Sequence, residues 1–359
     1  MGRHSSLAVT AVVVTALIAA ACGSSSASQG TSLLSQPTAN VGYAGSLTGI
    51  VETALQPAFE NATGDAFVGK GEGSSALAQA ILDKELSPGA FVAVGKSAIK
   101  LLWPSRSHFL ITLATDPLVV AYSPNSPDAA QLNKIRSGAK PLKDLFALME
   151  TNGFRLGRTN PNLDPQGAYF ELMVKLATKQ FNLPANTPAK ILGTTGKSAS
   201  SDVGSSSQIL DEDALPTDIS TATVDAGSEY LTEAKQYKLD YIALPARLDF
   251  ADPADVSIYS TVSLNLLQNT TFPGNLITLN ETYVLPASGT TRSTPDSGAD
   301  AAWLAFLLSS TGQALLTKVG YTLEPPQLSL APGFTSAKAV LPASVLAGYN
   351  ALGGVVSTS

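Results

Sequence analysis

An α/β fold with mostly parallel sheets is predicted by three features of this chain. Strand-like apolar runs alternate with segments of helical period. Several of those helices open directly after a Gly/Ser/Pro loop that closes a strand. No repeat of roughly 20–50 residues interrupts the alternation. With 359 residues, 44% hydrophobic and 14% charged, the chain has material for two ordinary domains and a large core, and it is neither disordered nor a polyelectrolyte.

The elements follow in order. Residues 41–44 form a first strand, broken by Gly45-Ser46, and residues 47–59 place Leu47, Ile50, Val51, Leu55 and Phe59 at helical spacing. A second strand covers 66–68, a glycine-rich loop 69–73, and Ser74-Ser75 open a helix over 76–86. Residues 91–94 and 110–122 read as β-rich, most clearly at Val119-Val120-Ala121-Tyr122. Next come a helix over 142–149, a short strand over 154–157 and a strong helix over 167–181. Strands are expected at 239–244, 256–267 and 277–285, then one long helix over 300–319 and a weakly structured tail from 328. Trp103 and Trp303 suit either core positions or ligand-stacking roles, and core positions are the commoner use.

The first 21 residues read as an export signal: Arg3, then the uncharged apolar run LAVTAVVVTALIAAA. That run is short and Ala-rich for a transmembrane helix. Cys22 follows, the only cysteine in the chain, and then a Ser/Gly/Gln/Thr-rich stretch to residue 40 that reads as a flexible tether. Ala19-Ala20-Ala21-Cys22 resembles a bacterial lipoprotein processing site, in which the Cys becomes the lipidated first residue of the mature protein. The resemblance implies a body held outside the cell membrane by a lipid anchor. An ordinary secretory signal with an incidental Cys is the alternative.

Composition narrows the function. Lys+Arg total 22 and Asp+Glu 28, for a net charge of −6, so nothing favours a nucleic-acid backbone as partner. One Cys and two His exclude an internal disulfide and a Cys/His zinc site. No G-x-S-x-G, H-E-x-x-H or phosphate-loop motif appears, and an enzyme is the weaker class. The loops at Gly45-Ser46, at Gly73-Ser74-Ser75 and at Asp164-Pro165-Gln166-Gly167 each precede a predicted helix. Each is explained by simple capping. Several helix N-termini aimed at one point would also hold a dianion without Arg or Lys.

Five segments carry a resemblance. Asn40 to Leu47 (NVGYAGSL) and Gly73 to Ala78 (GSSALA) resemble the two Ser-rich turns of extracytoplasmic molybdate/tungstate-binding proteins of ABC importers. FRLGRTNPNLDPQGAY, residues 154–169, and DAGSEYLTEAKQYKLDYIALP, residues 225–245, resemble the archaeal-type subgroup of that family. FLLSSTGQALLTKVGY, residues 306–321, is similar to the closing helix of periplasmic-type binding proteins. The resemblance implies a two-lobed type II periplasmic-binding-protein fold with the ligand in the cleft. It implies lobe one at 41–116 and 254–326, lobe two at 117–253, and a tail at 327–359. It further implies a monomer without cofactor that passes its oxyanion to an ABC permease.

Site residues carry over singly. Gly45, Ser46 and Ser74 would hold the oxyanion from lobe one, Gln166 would donate its backbone N–H from lobe two, and Tyr259 would stand near the cleft. Asp164 and Glu229 match the two acids that complete a six-coordinate molybdenum or tungsten centre. A carboxylate about 4 Å from a dianion is repelled by about 8 kcal/mol at an effective dielectric of 20. Direct ligation of a hard, high-valent centre removes that objection, and sulfate and phosphate offer no such centre. An N-cap role for Asp164 and a surface position for Glu229 stand as alternatives. The chain departs from the family at Lys96, where an acid is usual, and in the Ser/Gly-rich stretch 195–208. Alternative readings are a binding protein of the same fold for sulfate, phosphate or an organic acid, and an envelope lipoprotein that binds other partners.

Overall fold

The structure is a computed structural model and describes residues 36–193, 208–267, 270–287 and 298–357. The signal, Cys22 and most of the tether fall outside the described residues, as does nearly all of the Ser/Gly-rich stretch.

The strands are β1 (Thr38–Ala44), β2 (Ala66–Glu72), β3 (Ala90–Val94), β4 (Phe109–Thr115), β5 (Leu118–Tyr122), β6 (Leu156–Gly157), β7 (Ala226–Tyr230), β8 (Asp240–Ala243), β9 (Ser263–Asn265), β10 (Thr271–Pro273), β11 (Thr278–Tyr283), β12 (Thr322–Leu330) and β13 (Val355–Val356). They form a seven-stranded sheet, β13-β12-β4-β11-β3-β1-β2, a four-stranded sheet, β6-β7-β5-β8, and the hairpin β9–β10. Each of the two larger sheets, with its helices, makes one lobe of a two-lobed α/β molecule. In the central strands β3, β4 and β11 every residue is buried, as expected where helices cover both faces.

The sheets are mixed rather than mostly parallel. β1 pairs in parallel with β2 and β3, but β11 runs antiparallel to both β3 and β4. The reason is the chain path. β4 leaves the larger sheet toward the smaller one through Asp116-Pro117, and β11 brings the chain back, so it must run the opposite way. The crossing segments lie side by side. The Asp116 N–H donates to the Ile277 carbonyl at 3.2 Å, and the Ile277 N–H to Phe250 at 2.7 Å.

Local chemistry accounts for most other differences from expectation. β1 begins at Thr38, inside the expected tether. The stretch 256–267 opens with a short helix, Val256–Tyr259, before β9. The expected long C-terminal helix is two, Ala299–Leu307 and Ser310–Val319, because Ser309 caps the second by accepting the Gly312 N–H. The tail is structured. β12 joins β4, with a register shift between Leu323 and Gln327 at Pro325-Pro326, which lack the N–H donors a regular ladder needs. The helix Ala343–Ala351 then buries Val345 and Tyr349. Gly348 permits its close approach, since a Cβ there would meet the Leu308 side chain at 3.0 Å.

Trp303 belongs to the core of the larger lobe. It is buried, 5.3 Å from Phe59 and 4.6 Å from Phe67 between ring centroids. In the smaller lobe the helix Pro165–Gln180 is buried along most of its length, and Arg158 pairs with Glu171 at 2.7 Å in the interior. That ion pair fixes the start of the helix against the sheet that carries the site.

Candidate functional site

Two turns of the larger lobe present serines toward the smaller one. Ser46 lies in a 3-10 turn, Gly45–Leu47, at the end of β1. It is buried, and its Oγ has no hydrogen-bond partner. Ser74 opens the helix Ser74–Leu82 after β2 and Gly73. Its Oγ accepts the Val94 N–H at 3.1 Å and keeps its own proton for a further partner.

Asp164 faces them from the smaller lobe. As N-cap of the helix Pro165–Gln180 it accepts the Gln166 N–H on Oδ1 at 2.9 Å, while Oδ2 is buried without a partner. Capping and ligand binding are therefore compatible in one residue, each with its own oxygen. The turn is fixed by Thr159, whose Oγ1 accepts the Gly167 N–H at 2.8 Å. Only glycine fits at 167, because a Cβ would lie 2.1 Å from the Thr159 carbonyl oxygen. The Ala76 N–H donates to the Leu163 carbonyl at 3.0 Å, which brings the start of the helix Ser74–Leu82 against the Asp164 turn.

Glu229 comes from β7, opposite Val119 of β5. It is fully buried, and neither carboxyl oxygen has a hydrogen-bond partner. Glu233, on the helix Leu231–Gln236, faces it. Gln166 serves the site through its side chain: Nε2 donates to Glu233 at 3.0 Å and Oε1 accepts from Ser228 at 3.1 Å. Its backbone N–H, expected to reach the ligand, is used by Asp164. Tyr259 is not brought to this cluster. Its hydroxyl is held at the return crossing, bonded to the Ala246 carbonyl and the Asp252 N–H, and its ring packs on Phe250.

Three residues of the cluster were not anticipated: Glu212, Glu233 and Tyr230. Glu212 is buried against Gly45, where a Cβ would stand 2.4 Å from its Oε2. The Ser46 N–H and hydroxyl both face it, the hydroxyl outside hydrogen-bonding geometry. Tyr230 is buried with an unpartnered hydroxyl and feels the charges of Asp164 and Glu212. Within DAGSEYLTEAK, the four-residue step from Glu229 to Glu233 was the one available signal.

The electrostatics are severe. Burial pushes the Asp164 carboxyl up to about 6 and that of Glu229 up to about 8. Glu212 and Glu233 are raised well above the ordinary carboxylate range, first by burial and then by their acidic neighbours. Burial and mutual repulsion thus work against four simultaneous charges in this cluster. Among the described residues no group of three His, Cys, Asp or Glu side chains converges closely enough to hold a metal ion. A cleft of about 740 Å³ opens beside the cluster, lined by Lys70, Glu72, Gly73, Asn160, Asp164 and Glu212 among others. Ser46 and Glu229 are buried and are not among the residues lining this cleft.

Comparison with known proteins fits this architecture. A protein of Haloferax volcanii named an ABC transporter molybdenum-binding protein is 29% identical over 67% of this chain and 70% of its own length. The molybdate/tungstate-binding protein of Thermococcus kodakarensis is 25% identical over 74% and 77% respectively. The periplasmic molybdate-binding protein of Azotobacter vinelandii superposes with a TM-score of 0.52 over 80% of this chain and 99% of that one, at 15% identity, a likeness of fold. Residues 39–322 match the sequence profile described as bacterial extracellular solute-binding protein, and the chain belongs to that family.

Proposed function

We propose that this chain captures molybdate or tungstate outside the cell membrane and delivers it to an ABC permease. The carrying observation is that Asp164 Oδ2 and both Glu229 carboxyl oxygens are buried without hydrogen-bond partners, with the charge of Asp164 acting on Glu229. Buried carboxyl oxygens without partners are costly to leave unmade. Ionised beside a simple tetrahedral dianion they would be repulsive, whereas a Mo(VI) or W(VI) centre takes carboxylate oxygens as ligands. The relatives named for molybdenum, molybdate and tungstate support the same choice.

In this reading Ser46 and Ser74 donate hydroxyl hydrogen bonds to the oxo groups, and Gly45 and Gly73 let the turns close without side chains in the way. A Cβ at Gly73 would lie 2.6 Å from the Leu163 carbonyl. Asp164 and Glu229 complete the metal's shell, and the protein acts as a binding protein rather than an enzyme. The mature chain is a monomer anchored by a lipid on Cys22, with the tether letting the body reach its permease. Among the described residues no helix is long and apolar enough to cross a membrane.

Calorimetric titration of the full chain with molybdate, tungstate, sulfate and phosphate tests the ligand. Tight binding of the first two and none of the last two is the expected result. Equal or preferential binding of sulfate or phosphate overturns the reading in favour of a general oxyanion carrier.

A further inference from the structure

The three acids at 211–213 are not equivalent. Asp211 and Asp213 are exposed, while Glu212 alone turns inward, with 7% of its surface accessible and its Oε2 without a hydrogen-bond partner. The backbone fixes this orientation. The Arg158 N–H donates to Gln208 at 2.8 Å and the Leu210 N–H to Arg158 at 3.0 Å, which pins 208–210 beside the chain that continues β6. The Ala214 and Leu215 N–H groups then return to the Asp211 carbonyl and close a turn around Glu212.

The carboxyl is aimed across the cleft. It faces Gly45 at a distance that any side chain there would obstruct, and it stands beside the Ser46 hydroxyl, a second buried polar atom without a partner. One unsatisfied group from each lobe thus meets at the Gly45-Ser46 turn. The titratable and charged groups around Glu212 are Asp164 at the helix N-terminus, Glu229 and Tyr230 of β7, Glu233 of the next helix, and Tyr321 beyond the helix Ser310–Val319. Its neighbours Asp211 and Asp213, with Lys70 and Glu72 of β2, line the mouth.

We propose that Glu212 is a specificity-determining residue of this cleft, meeting an oxo group of the bound oxyanion through its unpartnered Oε2 and donating to it alongside the Ser46 hydroxyl. The inference rests on the oxyanion reading above and adds a role distinct from the two metal-ligating acids. A third ionised carboxylate in a site that already holds a dianion and two acid ligands would add repulsion. A protonated carboxyl supplies a donor to an oxo group without a cation.

Substitution separates a donor from a ligand. Glu212→Gln keeps shape, neutrality and an N–H donor, whereas Glu212→Ala keeps none of them. Molybdate titration of the full chain should give a Kd for the Gln variant within about threefold of wild type and a loss of tenfold or more for the Ala variant. Thermal melting of the ligand-free variants verifies that both fold, and the Gln result decides even if the Ala variant does not. A Gln variant that loses tenfold or more overturns the donor role and makes Glu212 an anionic ligand. Wild-type affinity in both variants makes it a bystander and also overturns the proposal. A wild-type chain that binds sulfate but not molybdate fails the ligand reading itself, and this proposal with it.

Discussion

Replacing Glu229 by Gln separates its electrostatic cost from its use. Burial, with the nearby negative charge of Glu212 and Asp164, pushes this carboxyl from 4.5 to about 8. The folded-state value is raised, so the folded chain holds a proton that the unfolded chain has released. The associated stability is fully present below pH 4.5 and is lost as pH rises to about 8. At about 1.4 kcal/mol per pH unit, roughly 3 kcal/mol has been lost by pH 7. Glu229→Gln does not titrate, so the ligand-free variant should melt with a shallower pH dependence. At pH 7 it should be more stable than wild type by about 2 kcal/mol, after about 1 kcal/mol for an amide without a good partner. Molybdate binding should move the opposite way and weaken at least tenfold, because a neutral amide is the poorer ligand for a hard centre. The assay is thermal melting from pH 5 to 9 with a parallel molybdate titration at pH 7. An unchanged pH slope together with tighter molybdate binding would refute the reasoning.

Other expectations follow from the same geometry. Asp164→Asn should keep the helix cap and lose molybdate affinity, while Asp164→Ala should also cost about 0.5–2 kcal/mol of stability through the lost cap, read by chemical denaturation. Ser46→Ala should weaken binding by about 1.5–3 kcal/mol with little change in ligand-free stability, since its Oγ has no protein partner. Ser74→Ala should lower affinity and stability together, because its Oγ also accepts the Val94 N–H; equal melting temperatures for the two variants would contradict this difference. Cys22→Ser should move the protein from the membrane fraction to the soluble or secreted fraction, and mass spectrometry of wild type should show lipid on Cys22.

The sequence made the serine turns and the two acids legible because each sits in a short motif with its own local physics. Gly-Ser turns close strands, and Asn-Pro-Asn-Leu-Asp-Pro-x-Gly enters a helix with Asp164 as its cap. Glu212 was hidden because an acidic triplet has no period to mark which member turns inward. Pairing of Arg158 with the 208–210 segment decides that, and it is a long-range contact. Gln166 was placed correctly in the chain, but the Asp164 cap takes its N–H. The tail was misread for a related reason. Its Pro, Gly and Ala content lowers local propensity, yet β4 offers an edge for β12, and the helix Ala299–Leu307 a surface for Ala343–Ala351. The antiparallel strand in the larger sheet follows from the return path between the lobes, which periodicity does not record.

The central claim is that Asp164 and Glu229 ligate the metal of the bound oxyanion. X-ray absorption at the molybdenum or tungsten edge, measured on the full chain loaded with molybdate or tungstate and on the free ions, tests it directly. The account predicts six oxygen neighbours in the complex against four in free solution, falling back toward four in any residual complex of Asp164→Asn or Glu229→Gln. A four-coordinate ion bound to the wild-type chain would contradict it.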